Sequence, residues 1–337
     1  MKTLICNTPG EFEYVLTEMP VEREGYTLLK VLRVGICGTD IHAYGGTQPF
    51  FNYPRILGHE IAAEIVGTQE GSGFGVGDIV SISPYFYCGR CVACRNGKTN
   101  CCVKMEVFGV HIDGGMRGYI SVPDYALVRG EGLSADELVL VEPLAIGAHG
   151  VRRAGIEMGE FVLVMGAGPI GLGTMDFAAI AGGRVIAMDV NPQRLEFCKD
   201  TFGIPFTINP MTDNVIERLM EITNGDMPTV VMDCTGNLKA INSGVQYLAH
   251  GGRYVLIGLQ KEDLVISHPE FHKREATLMS SRNALPEDFE QVVSCIRDGS
   301  VSPENYITHK VEFDEMKYQF SELIDPANGA IKAVIVF

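Results

Sequence analysis

Lysine and arginine are scarce in this chain of 337 residues, where 27 of them face 42 aspartates and glutamates for a net charge of −15. Nucleic acid and anionic membranes both reward clustered cations, so neither is expected as a partner. A long apolar run is also lacking, whereas a helix that crosses a bilayer needs about 20 consecutive apolar residues. The opening MKTLICNTPGEFEY turns polar too soon for a signal peptide. Internal repeats and low-complexity linkers are absent, so nothing suggests a repeat array or a tethered tail. What is present is an ordinary globular composition, 46% hydrophobic and 20% charged, in a length that suits two domains better than one. Ten cysteines would suggest disulfides in a small secreted chain. Here they cluster without a signal sequence, which points to metal ligation in the cytoplasm.

The stretch from Gly35 to Glu60 begins GICGTDIHAYGG and ends PRILGHE. Within it Cys37 and His59 offer a thiolate and an imidazole, ligand types that zinc prefers. Two such ligands leave coordination positions open, as a catalytic metal requires. Thr39, Asp40 and His42 crowd beside the cysteine, and Glu60 follows the histidine. Residues 26–34 read as a strand that delivers the chain to this motif, and 61–66 and 78–82 read as further strands. No useful helical period appears before about residue 130, so this part is expected to be mostly β.

A second cluster, Cys88-Gly-Arg-Cys91-Val-Ala-Cys94, is followed by Cys101 and Cys102. Three thiols at three-residue spacing and a fourth after a short loop can close a tetrahedral cage, which suits a structural zinc. Gly89 and Gly97 help the loop bend back around it. Cys6, Cys198 and Cys295 stand apart and read as small core residues or free thiols.

A third feature is an apolar strand at 161–165 that runs into Gly166-Ala-Gly168-Pro169-Ile170-Gly171, with helical character beyond. In such a GxGxxG turn the first glycine makes the bend, the second admits a pyrophosphate and the third lets helix pack on strand. The strand at 184–188 ends at Asp189, where an acid can hold ribose hydroxyls. Strands at 230–233, 254–257 and 276–280 alternate with helix-like segments, the pattern of a parallel α/β sheet. After residue 283, helices are expected over 287–297 and 313–324, and a strand over 331–337.

With these motifs in view the chain resembles the zinc-containing medium-chain alcohol and polyol dehydrogenases. The likeness runs over essentially the whole length and rests on CGTD with GHE, the cysteine lobe, EPLA and GAGPIG. Within that family it is most similar to the sorbitol and threonine dehydrogenase branch. The phrase HAYGGTQPFFNYPRILGHE resembles the starvation-sensing type, related to enzymes that oxidise L-galactonate or L-gulonate at carbon 5. The resemblance implies an α/β chain: a GroES-like β-rich catalytic domain over 1–146 and 284–337, and a Rossmann doubly wound parallel-sheet domain over 147–283. It also implies a cytoplasmic homo-oligomer, dimer or tetramer, with NAD and two zincs per chain.

The resemblance carries roles onto matching positions. Cys37 and His59 correspond to catalytic zinc ligands, and Glu60 or Glu142 completes the shell, directly or through a water. Glu142 has a second reading as a solvated acid before a helix, with Pro143 at the first helical position. Asp40 would steady the ring of His59. Cys88, Cys91, Cys94 and, by family spacing, Cys102 would hold the structural zinc. Thr39 would take the proton of the substrate hydroxyl and pass it through the nicotinamide ribose to His42 and solvent. The cofactor would lie along Gly166, Gly168, Pro169, Ile170, Gly171 and Asp189, bordered by Thr235, Gly258 and Asn283. Arg194 either lies along the adenosine or is an ordinary surface arginine. The implied reaction moves a hydride between NAD and a secondary alcohol of a polyol or sugar acid. A threonine- or butanediol-type dehydrogenase, a zinc-free quinone reductase and a metabolite sensor on the same fold are the competing readings.

Overall fold

The computed structural model describes residues 1–21, 23–48, 51–68 and 73–337. Pro49 and Phe50 of the motif stretch, and 69–72 of the Gly-rich turn, lie outside the described residues. The chain forms two compact units, one of Met1–Pro143 with Leu285–Phe337 and one of Leu144–Ala284.

The first unit is built on the strand Tyr26–Gly35, whose residues Thr27, Leu29 and Val31 are buried while Lys30 is exposed, the period of two that a half-buried strand requires. One edge of this strand pairs antiparallel with Glu60–Gly67, which continues the sheet to Ile79–Ile82 and Leu127–Arg129. Its other edge is shared by Tyr119–Pro123 on the first half and Lys332–Val336 on the second. Ile307–Glu312 then adds in parallel to Lys332–Val336. The chain's last strand thus lies beside its third, and Leu29, Val34, Ile61, Ile65, Met116 and Ile335 belong to one core. The helix Pro286–Arg297 buries Phe289, Val292, Val293 and Ile296, the spacing of a single helical face.

Short helices interrupt this mostly β region. Gly38–Tyr44 and Val92–Arg95 are too brief to show a period in sequence; the first is fixed at its start by the Cys37 amide donating to the Asp40 carboxylate. The helix expected over 313–324 divides into a 3₁₀ turn, Phe313–Glu315, and the helix Met316–Leu323. The hairpin of Lys2–Thr8 and Glu11–Leu16 was not individually legible.

The second unit is a six-stranded parallel sheet. Its order is Phe206–Ile208, Arg184–Met188, Phe161–Met165, Val230–Asp233, Arg253–Leu256, Thr277–Ser280. Counted along the chain this is 3-2-1-4-5-6, the doubly wound order whose direction reverses between the first and fourth strands. Val162, Leu163, Val164 and Met165 are all buried, as a strand covered on both faces should be. The helix Pro169–Ile180 starts earlier than its apolar run suggests, because Gly168 caps it and Pro169 takes the first position. Among the described residues no helix is long and apolar enough to cross a membrane.

Gly171 shows how tightly this helix meets its turn: a Cβ there would lie 1.8 Å from the carbonyl oxygen of Gly166. Gly171→Ala is therefore expected to destabilise the chain by the upper part of about 1–3 kcal/mol. Urea unfolding followed by circular dichroism checks this; a midpoint equal to wild type would count against the close approach.

Candidate active site

In the first unit the chain leaves the strand Tyr26–Gly35 and turns at Cys37, the N-cap of Gly38–Tyr44. The buried Asp40 carboxylate organises this turn. Its Oδ2 accepts the Cys37 amide at 2.9 Å, its Oδ1 accepts the Gly58 amide at 3.1 Å, and Oδ1 lies 3.9 Å from His59 Nδ1. Gly58 has φ +91°, and a Cβ there would press on Val34 at 2.7 Å, so glycine is required. These contacts bring His59 onto Cys37. The ligand atoms of Cys37, His59 and Glu60 lie within 4.8 Å of one another.

The electrostatics suit a cation. Burial pulls the His59 pKa down, but Cys37 and Asp40 outweigh it and hold the imidazole well above its ordinary value. A field that draws a proton onto a buried imidazole also favours a divalent metal. His59 Nδ1, buried and without a hydrogen-bond partner, lies 3.9 Å from Asp40 Oδ1. A thiolate, an imidazole and a carboxylate are a zinc donor set.

Two residues that sequence reading missed hold the acids. Lys332 is 2% exposed, and its ammonium donates to Glu60 Oε1 at 2.6 Å, to Oε2 at 2.7 Å and to the Ile36 carbonyl at 3.1 Å. The clue in sequence was a lone lysine inside the apolar run AIKAVIVF. The Tyr85 hydroxyl donates to Glu142 Oε1; nothing in its sequence context marked Tyr85. Glu142 is 4% exposed, which overturns its reading as a solvated acid. Burial, opposed by His59, pushes its pKa up to about 7. It stands outside the close set formed by Cys37, His59 and Glu60.

Thr39 and His42 follow on the same short helix, three residues apart and so on one face. Thr39 is half-buried and His42 exposed. His42 Nδ1 lies 2.9 Å from the hydroxyl of Thr47, a further residue not singled out from sequence.

The second thiol cluster also assembles. The sulfurs of Cys88, Cys91, Cys94 and Cys102 lie within 4.8 Å of one another, with Cys91 to Cys94 at 3.4 Å. Gly89 and Gly97 have φ +69° and +70°, the left-handed bends that return the loop. Amides of Cys88 and Lys104 each donate to Cys102 Sγ at 3.3 Å. Hydrogen bonds from the Cys94 and Val103 amides pull the Cys91 thiol down to about 6, the direction a thiolate ligand needs. Cys102 is buried and Cys101 exposed. Cys6, Cys198 and Cys295 are buried free thiols elsewhere.

In the second unit Gly166 takes φ +99° at the end of Phe161–Met165, and Gly168 caps the following helix, whose free N–H groups suit a phosphate. Pro169 and Ile170 form its first turn. The Asp189 carboxylate accepts the Ala167 amide at 2.7 Å and the Asn191 amide at 2.8 Å, so the acid is braced across the glycine turn. Arg194 Nη1 comes within 3.6 Å of where a Gly168 Cβ would be, which places the guanidinium at this turn. Thr235 and Gly258 follow the fourth and fifth strands of the sheet, and Asn283, at φ +53°, follows the sixth.

Residues 23–132 match the alcohol dehydrogenase GroES-like domain, and residues 169–298 match the zinc-binding dehydrogenase family. The chain is 42% identical to the L-galactonate-5-dehydrogenase of Escherichia coli K12, covering 100% of this chain and 99% of that one. It is 32% identical to a sorbitol dehydrogenase of Halalkalibacterium halodurans, over 94% of each. A crystal structure of the alcohol dehydrogenase rspB from E. coli CFT073, solved with NADH, superposes with a TM-score of 0.93 at 30% identity, covering 100% of this chain and 99% of that one.

Two outcomes are expected. Cys102→Ser should lower bound zinc by about one per chain while Cys101→Ser leaves it unchanged, read by metal analysis of the purified variants; equal losses would remove the distinction. Lys332→Met should cost about 3–5 kcal/mol in urea unfolding, because Glu60 stays buried without its cation. Adding Glu60→Gln should recover most of that loss.

Proposed function

The chain belongs to the zinc-type medium-chain alcohol dehydrogenases, and from that premise we propose that it moves a hydride between NAD and a secondary alcohol of a sugar acid. Zinc- and NAD-dependent oxidation or reduction at a CH–OH group is the activity of the class; the sugar acid is our assignment. The observation that carries it is the convergence of Cys37, His59 and Glu60 within 4.8 Å, beside Thr39 and His42 on one helix. The 42% identity to an L-galactonate dehydrogenase supports the choice of substrate.

Zinc, when bound, supplies a Lewis acid that makes a substrate hydroxyl acidic, and NAD supplies the hydride acceptor. Cys37, His59 and Glu60 would hold the metal, with Asp40 orienting His59. Glu142, fixed by Tyr85, would take a place beside the shell rather than in it, where burial holds its carboxyl above the ordinary range. Thr39 Oγ1 would accept the substrate proton while releasing its own hydroxyl proton toward His42, which would deliver a proton to solvent. With Nδ1 engaged by Thr47, His42 Nε2 is the atom left for exchange. Cys88, Cys91, Cys94 and Cys102 would hold a second, structural zinc, since four thiolates leave no open position.

Residues 1–146 with 284–337 would serve as the catalytic domain and 147–283 as the NAD domain, a division supported by the break between Pro143 and Leu144. All ten cysteines are free thiols, which suits a reducing cytoplasm.

Turnover with NAD across aldonates, neutral polyols, threonine and butanediol tests the proposal. An aldonate should lead neutral polyols by at least about tenfold in kcat/KM, a discrimination that differential transition-state binding can supply. Equal turnover of neutral polyols would reject the sugar acid. Asp189 should enforce NAD, because a 2′-phosphate beside its carboxylate costs on the order of several kcal/mol, a preference of at least about a hundredfold. Asp189→Ser should raise NADP use and weaken NAD, measured as the ratio of kcat/KM values; wild-type use of NADP as well as NAD would contradict this.

A further inference from the structure

Asp233 ends the strand Val230–Asp233, the first strand past the point where the sheet reverses direction. Its side chain is 0% exposed. A buried carboxylate is costly unless its oxygens are satisfied, so its bonds show why it is there. Oδ1 accepts the Thr235 hydroxyl at 2.6 Å and Oδ2 accepts the Gly236 amide at 3.2 Å. The Thr235 oxygen in turn accepts the Asn237 amide at 3.0 Å. The main-chain carbonyl of Asp233 accepts the amides of Ile257 and Gly258, both at 2.9 Å.

These bonds reach three turns at once. With its hydroxyl held by Asp233, Thr235 presents its methyl to Gly166, where an added Cβ would sit 3.0 Å from Thr235 Cγ2. Gly236 takes φ +59° under the Oδ2 contact. A Cβ on Gly258 would lie 2.2 Å from the Gly236 amide nitrogen and 2.8 Å from Asp233 Oδ2. The glycine turn, the Thr235–Gly236 turn and Gly258 therefore interlock around one carboxylate. Thr235 spends its hydroxyl inside the turn, so it offers a cofactor its backbone and methyl.

We propose that Asp233 is a positioning residue for the dinucleotide site, acting through Thr235, Gly236 and Gly258 without touching the cofactor. This rests on the reading of the second unit as the NAD-binding unit. An apolar residue would pack at the strand end more cheaply, but it would leave the Thr235 hydroxyl and Gly236 amide free to turn.

The test uses the full-length, metal-loaded chain. Asp233→Asn puts an amide donor where a carboxylate oxygen accepts, and Thr235→Val removes the hydroxyl while keeping the shape. Each should raise the Kd for NADH about tenfold, read by fluorescence titration well below the melting temperature. The loss should fall on the KM for NAD rather than the KM for the alcohol, a split that general destabilisation would not produce. Both variants disturb the Asp233–Thr235 hydrogen bond, while Thr235→Val also releases the Asn237 amide and Asp233→Asn also reaches Gly236, so their effects should be clearly less than additive in the double variant. A folded Asp233→Asn or Thr235→Val chain that binds NADH like wild type overturns the proposal, as do fully additive effects. If Asp233→Asn does not fold, Thr235→Val decides alone. A wild-type chain that fails to bind NADH overturns the NAD reading itself; wild-type binding with unaffected variants overturns only the role of Asp233.

Discussion

Three carboxylates, those of Asp40, Glu60 and Glu142, are 1%, 0% and 4% exposed within the first unit, beside the thiol of Cys37. Burying that much potential negative charge is unfavourable unless cations or hydrogen-bond donors meet it. Lys332 answers Glu60, two backbone amides answer Asp40, and the Tyr85 hydroxyl answers Glu142. The imidazole of His59 is drawn toward its charged form by what remains. The local architecture follows from this compensation: the turn at Cys37, the bend at Gly58, and the last strand of the chain laid against Tyr26–Gly35 so that Lys332 can reach inward. A divalent cation is the natural completion of such a set.

The second unit solves the opposite problem. It must present unpaired backbone N–H groups to an anion, and the sheet's reversal supplies the place. Gly166 and Gly171 remove the side chains that would fill the turn, while Asp189 braces it from the second strand. Asp233 supplies the matching brace from the fourth strand. Both acids bind backbone amides around the turn; what distinguishes them is that Asp189 stays half-buried while Asp233 is sealed.

Much of this was legible because the motifs are local. CGTD, GHE, the cysteine lobe and GAGPIG each pack several ligands or turns into a few residues, so spacing alone indicates geometry. Parallel strands covered on both faces announce themselves as continuous apolar runs, and Phe161–Met165 and Arg184–Met188 were readable for that reason. Short helices and short edge strands were less readable, since a few residues carry no period.

Sequence by itself determined the residue types available for chemistry: the thiol and imidazole pair, the four-thiol lobe, the glycine turn and its acid, and hence the class of reaction. Only the tertiary structure decided how the acids are shared. Glu60 and Lys332 are 272 residues apart, and Tyr85 and Glu142 are 57 apart, so their meetings depend on which strands neighbour one another rather than on any local pattern. The same holds for Asp233, whose hydrogen bonds to Thr235 and Gly236 are local but whose grip on Gly258 exists because two parallel strands end side by side. Burial converts these contacts from incidental to decisive, because an acid cut off from water must find its partner within the fold.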